Sequence, residues 1–61
     1  MFTNEQKLAC IKRELGYRIR VYRRLVDNSL MTQEQADRQI AIMQAIAEDY
    51  DKLIEKQLDL I

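Results

Sequence analysis

Few residues in this chain of 61 could make or break covalent bonds. The sequence has no histidine, Cys10 is its only cysteine, and its hydroxyl side chains other than tyrosine are Thr3, Ser29 and Thr32. A zinc cluster or a disulfide framework needs more ligands or thiols than one such chain supplies. No imidazole is present to activate a hydroxyl as a nucleophile. The sequence therefore predicts a protein that is not an enzyme and that uses no metal, cofactor or small-molecule substrate.

Carboxylates are common in the second half of the chain, and five of them recur at helical spacing. They are Asp37, Glu48, Asp51, Glu55 and Asp59. An EF-hand takes its calcium ligands from one loop of about twelve residues that contains glycine, and this spacing does not match it. We interpret these carboxylates as a solvated helix face.

The basic residues of the first half form the strongest chemical pattern. Five cations fall within an arc of roughly 120° on a helix, and Tyr17 lies next to them. The predicted partner-binding residues are Lys12, Arg13, Tyr17, Arg20, Arg23 and Arg24. An acidic protein is one candidate partner. Two alternatives stay open: a solvated face, and a nucleic-acid surface, although no aromatic residue is interleaved among the cations for base stacking.

Helices must position these residues, because the chain has no proline and one glycine and is rich in good helix formers. Two segments, beginning at Thr3 and at Thr32, have the Thr-x-x-Gln form of a capping box. Turn formers cluster between them, and we expect Asn28 to end the first helix in the left-handed conformation. The prediction is one domain over 1–61, with a helix at about 4–27, a turn at about 28–31 and a helix at about 32–59.

Each predicted helix carries two apolar rows when its residues are spaced by about 100°. The main stripe of the first is Leu8, Ile11, Leu15, Ile19, Tyr22 and Val26, and a thinner strip is Cys10, Tyr17, Val21 and Leu25. The main stripe of the second is Ala36, Ile40, Met43, Ala47, Tyr50, Ile54, Leu58 and Ile61, and its second row is Ile42, Ile46, Leu53 and Leu60. The rows of the second helix together span roughly 160°, whereas a single neighbour covers about 100°.

These lengths and rows favour an antiparallel two-helix hairpin that pairs with another copy. Exposing the second row would forfeit about 1.5 to 3 kcal/mol per side chain, and a domain this small has only about 3 to 5 kcal/mol to spare. The expected fold is all-α, a hairpin forming a homodimeric four-helix bundle with Ile42, Ile46, Leu53 and Leu60 at the interface. The alternative is a lone hairpin whose spare face binds a different protein.

The charge distribution fits such a hairpin. Ten basic and ten acidic residues cancel overall, but residues 1–26 carry a net charge of plus five and the remainder minus five, so the two halves should attract. No apolar run approaches the roughly 18 residues of a membrane span, and no targeting segment is evident. The sequence predicts a cytoplasmic protein with no membrane partner.

Two single residues carry predictions of their own. Cys10 is expected to be a small buried apolar residue, with a disulfide across a dimer as the alternative. Gly16 interrupts the first helix at a cost of roughly 1 kcal/mol, which indicates either a close approach of another segment or simple tolerance.

Several segments resemble a group of short proteins carried by bacteriophages and prophages. They begin at Glu5-Gln6-Lys7-Leu8-Ala9-Cys10 and continue with Arg20 to Val26, Met31 to Asp37 and Met43 to Tyr50. Relatives often read R-V-Y-P-R-W-V and then G-[KR]-M-[TS]; here Arg23 replaces the proline, and Asn28-Ser29-Leu30 stands where the glycine turn would be. The group has no known function, so the resemblance implies a phage setting in a bacterial cell and little about mechanism.

Small phage proteins without catalytic residues commonly occupy the surface of a host protein. The predicted function is therefore a dimeric helical module that binds and inhibits a host protein, such as a defence complex, polymerase, nuclease or regulator. A nucleic-acid-binding accessory protein and a structural assembly piece remain alternatives.

Overall fold

Two helices account for most of the chain in a computed structural model that describes residues 1–59. Helix α1 spans Asn4–Asp27 and helix α2 spans Gln33–Asp59. No strand occurs in this described part. The prediction of an all-helical chain built from two helices is confirmed.

Both helices begin at a threonine that caps them. Thr3 Oγ1 accepts a hydrogen bond from the Gln6 amide at 3.1 Å, and the Thr3 amide donates to Gln6 Oε1 at 2.9 Å. Thr32 and Gln35 form the same reciprocal pair, at 3.1 Å in both directions. Each pair satisfies two backbone amides that would otherwise lack a partner in the first turn. The capping boxes therefore fix where the two helices start.

The turn between the helices is closed by Ser29, not by Asn28 as the sequence suggested. Asn28 has φ −92° and ψ 9°, whereas Ser29 has φ 60°, in the left-handed region. The Leu30 amide donates to the Leu25 carbonyl at 2.9 Å, and the Ser29 amide donates to the Val26 carbonyl at 3.0 Å. These two bonds form a Schellman motif, which requires the left-handed residue one position after the cap. Since Asn28 is the cap itself, the left-handed conformation falls on Ser29.

The helices fold back on each other as an antiparallel hairpin. At the open end, Asn4 Nδ2 donates to Gln57 Oε1 at 3.2 Å. Lys7 Nζ lies 5.9 Å from the centroid of the Tyr50 ring, a distance at which a cation and an aromatic face attract. These side-chain contacts join residues far apart in sequence, so they identify the register of the hairpin.

The core between the helices is thin. Among the described residues only Leu8, Ala36 and Ala47 are buried, and two of these three are alanines. Most other members of the two main stripes are half-buried: Ile11, Leu15, Tyr22, Val26, Ile40, Met43, Tyr50 and Ile54. Leu58 is 65% exposed, because Gln57 already lies opposite Asn4, the first residue of α1. Within 1–59, the hairpin contains no large side chain that is fully buried.

The resulting shape is long and has a large surface. The molecule measures 49 × 18 × 14 Å, and its radius of gyration is 14.5 Å, against about 10.5 Å for a compact domain of this length. It exposes 5252 Å², whereas a compact monomer of 7.3 kDa exposes about 4,200 Å². The excess is about 1,000 Å² per chain. Neither helix, over its described residues, is both long and apolar enough to cross a membrane.

Candidate functional site

The second apolar row of α2 lies largely in solvent. Ile42 is 47% exposed, Ile46 is 37% exposed and Leu53 is 46% exposed. We call these three residues the apolar row; Leu60, the fourth predicted member, lies outside the described residues. The row is rotated by about 100° from the stripe that faces α1, so a two-helix hairpin does not cover it.

A groove at the open end of the hairpin connects the apolar row with α1. The groove has a volume of about 650 Å³. Its residues come from both helices and from the N-terminal segment: Phe2, Gln6, Lys7, Ala9, Cys10, Ile11, Arg13, Ile46 and Tyr50. Since Ile46 and Cys10 line the same groove, the Cys10 end of the thin strip of α1 and the apolar row of α2 lie on one side of the molecule.

Cys10 is exposed, which contradicts the expectation that it would be buried. It is a free thiol, and it lines the groove instead of the helix interface. Its position two residues after Leu8 explains this, because about 200° of rotation separates it from a buried residue that faces α2. The exposure of Phe2, at 75%, adds a further apolar side chain to the same groove.

The predicted partner-binding residues of α1 are all exposed. We call five of them the basic strip: Lys12, Arg13, Arg20, Arg23 and Arg24. Lys12 follows Cys10 by two residues and therefore lies on nearly the opposite side of α1 from it. Arg13 borders the groove, and Tyr17, beside the strip, is 57% exposed. The basic strip thus extends from the side of α1 opposite Cys10, at Lys12, to the edge of the groove, at Arg13.

A second, smaller groove lies between the helices close to the turn. It has a volume of about 210 Å³ and is lined by Ile19, Tyr22, Arg23, Val26, Asp27, Gln33, Ala36 and Ile40. Arg23 and Asp27 place one basic and one acidic side chain on its rim. This groove brings one end of the basic strip next to α2.

Ion pairing leaves the basic strip uncompensated in the described residues. The ion pair found there joins Arg18 Nε to Glu14 Oε1 at 3.2 Å, inside α1. The expected attraction between the two halves of the chain therefore produces no ion pair between the described parts of α1 and α2. The cations of the strip remain available to another molecule.

Arg18 also contacts an aromatic residue that sequence reasoning assigned to the core. Arg18 Nη1 donates to Tyr22 Oη at 3.2 Å. The hydrogen bond to Tyr22, followed by the one to Glu14, raises the pKa of Arg18 above its usual value. The spacing of four residues on a helix could have indicated this Arg18–Tyr22 contact from the sequence.

Gly16 has open space around it. Among the described residues, no atom of another segment lies within 4 Å of the position that a Cβ would occupy there. The interpretation that another segment of the hairpin approaches Gly16 closely is therefore wrong. The chain tolerates glycine at this position.

In the part of the chain that the structure describes, Asp37, Glu48, Asp51 and Glu55 of the acidic face are all exposed. No group of three or more histidine, cysteine, aspartate or glutamate side chains is placed to hold an ion there. Asp37 accepts a hydrogen bond from Gln33 Nε2 at 2.9 Å.

Comparison of the chain with protein-family models, with curated proteins and with solved structures gives no match.

Proposed function

We propose that this chain is a non-enzymatic protein-binding module that acts as a homodimer in the cytoplasm of a bacterial cell. The observation that carries the proposal is the combination of a thin core with an exposed apolar row. A hairpin with three buried residues over its described length has little apolar burial to offset the entropy of folding. Covering the apolar row would supply the missing burial.

A second copy is the partner that suits this row. A standard interface buries about 800 Å² on each partner, and the chain exposes about 1,000 Å² more than a compact monomer of its mass. The net charge of zero means that two copies do not repel each other at long range. Two hairpins joined about a two-fold axis would form a four-helix bundle with Ile42, Ile46, Leu53 and Leu60 in the interface.

The basic strip is the surface proposed to bind another protein. Its cations are exposed and form no ion pair with the described carboxylates, so an acidic protein surface can pair with them without displacing an existing contact. Tyr17 lies beside them and offers an aromatic anchor of the kind enriched at binding hot spots. Nucleic acid is the weaker candidate, because the strip has no interleaved aromatic residues and the carboxylates of α2 would repel phosphates.

The resemblance to bacteriophage and prophage proteins supports a host protein as the target. A chain with no histidine and one cysteine has little means of modifying its target covalently. Occupying a functional surface of the host protein is the mode of action open to it, and inhibition is the effect we propose.

The binding proposal is tested by reversing charges on the basic strip. Arg20→Glu combined with Arg24→Glu should weaken capture of an acidic bacterial protein at least tenfold while leaving helicity unchanged. The matched control is Arg38→Glu with Lys52→Glu, which makes the same change in net charge on exposed residues of α2. If the strip variant and the control reduce capture equally, the basic strip is not the protein-binding surface.

The same variants separate protein from nucleic acid. Binding to DNA or RNA would fall steeply between low and moderate salt, because phosphate neutralisation releases counterions. If the unmodified chain shifts DNA or RNA in a gel at about 50 mM salt and the strip variant does not, the target is a nucleic acid and not a protein. We expect no shift.

A further inference from the structure

The open-end groove contains Cys10 and adjoins the apolar row at Ile46. We infer that a second copy of the chain covers the whole side formed by the apolar row and the open-end groove, with α1 of each copy packed on α2 of the other. This inference rests on the proposed homodimer and adds the arrangement of its helices.

The apolar row and the open-end groove form one continuous apolar surface. Ile46 belongs to the apolar row and also lines the groove, together with Ile11 and Cys10 of α1. Phe2 extends the same surface at the N-terminus, where it is 75% exposed. A copy that covered the apolar row alone would leave these groove residues in water beside the new interface.

The excess surface of the chain is large enough for an interface that involves both helices. The surface in excess of a compact monomer is about 1,000 Å², slightly more than the roughly 800 Å² that one partner contributes to a standard interface. One helix row provides only part of such an area, whereas a side made from both helices provides a patch two helices wide. The size of the excess therefore favours an interface formed by both helices.

The opposite net charges of the two halves of the chain favour one arrangement of the helices. Residues 1–26, which include nearly all of α1, carry a net charge of plus five, and the remainder of the chain carries minus five. A two-fold axis can place α1 on α1 of the second copy, which brings like charges together, or α1 on α2, which brings opposite charges together. Like-charge contacts are disfavoured, so α1 lies on α2 of the second copy.

The single thiol provides the test. In the unmodified chain, Cys10 should react with 5,5′-dithiobis(2-nitrobenzoate) at least tenfold more slowly at concentrations where light scattering gives twice the chain mass. The control is Cys10→Ser with Gln44→Cys, which moves the thiol to the exposed side of α2 opposite Ile46. This control thiol should react quickly in the dimer.

A second variant tests the same interface without moving the thiol. Ile46→Glu should give monomers in which Cys10 reacts quickly at every concentration, whereas Ala45→Glu, which adds the same charge one residue away, should keep Cys10 protected. Ala45 is exposed and rotated by about 100° from Ile46. If Ile46→Glu fails to fold, the difference in reaction rate between Cys10 and the control thiol in the dimer still decides.

The outcomes distinguish this inference from the proposed homodimer. A dimer in which Cys10 and the control thiol react equally fast overturns the inference and leaves the homodimer standing. A Cys10–Cys10 disulfide that forms readily on oxidation places α1 on α1 and overturns the arrangement. A single-chain mass at high concentration overturns both.

Discussion

Ser29 is a serine in a backbone conformation that usually belongs to glycine. Its φ of 60° is imposed by the Schellman motif, in which the amides of Ser29 and Leu30 return to carbonyls near the end of α1. A side chain in the left-handed region costs roughly 1 to 2 kcal/mol, because its Cβ approaches the following carbonyl oxygen. The conformation of Ser29 therefore has a free-energy cost that other interactions in the protein offset.

Ser29→Gly should raise the free energy of unfolding by about 0.5 to 1 kcal/mol per chain. The gain is smaller than the strain because glycine also adds entropy to the unfolded chain. Asn28→Gly is the matched control, since Asn28 has a negative φ and glycine there should bring no gain. Urea denaturation at one fixed protein concentration measures both variants, and equal effects would contradict the conformation described here.

At the scale of the elements, α1 contains a glycine where helical propensity alone would favour alanine. Gly16 has no neighbouring segment within 4 Å of its Cβ position, so a methyl group fits without displacing anything in the hairpin. Gly16 also lies about 80° around α1 from Leu8, on the side of Lys12 rather than of Cys10. It is therefore expected to stay clear of the proposed dimer interface.

Gly16→Ala should stabilise the protein by about 0.5 to 1 kcal/mol, because alanine loses less backbone entropy than glycine in a helix interior. The reverse change at an exposed site of α2, Ala45→Gly, should lower the free energy of unfolding by a similar amount. Thermal unfolding followed by circular dichroism measures both. A loss of stability in Gly16→Ala would show that another chain packs on this side of α1.

The elements were predictable from sequence because their signals are local. The two Thr-x-x-Gln boxes identify both helix starts, and the spacing of apolar residues identifies which faces meet. The left-handed position could not be assigned as easily, because both Asn28 and Ser29 are turn formers and only the hydrogen-bonding pattern selects Ser29. Contacts such as Lys7 with Tyr50 were beyond sequence reasoning, since they depend on how far α1 slides along α2.

The candidate surfaces were only partly predictable from the sequence. The exposure of the apolar row and of the basic strip follows from helical periodicity. The groove did not follow, because it depends on the placement of Phe2 and Cys10 around the first turns of α1. Periodicity ranks Cys10 with the apolar residues, but it does not say whether a two-helix hairpin has enough width to cover a second strip.

At the scale of the whole molecule, folding and association should be coupled. A hairpin with three buried residues in its described part would gain its remaining apolar burial from the proposed second copy. The midpoint of thermal unfolding should therefore rise by about 5 °C for each tenfold increase in protein concentration. Melting curves over a hundredfold concentration range measure this, and a constant midpoint would identify a self-sufficient monomer.

The scarcity of buried residues has a consequence for how the protein would behave in a cell. A polypeptide that folds only when it dimerises exists mainly as unfolded monomers at low concentration. Proteases cleave such unfolded chains readily. As synthesis rises, the folded population grows more steeply than the total. If the chain folds only as a dimer, doubling the synthesis of a scarce chain would raise its folded population about fourfold, because the folded population depends on the square of the chain concentration.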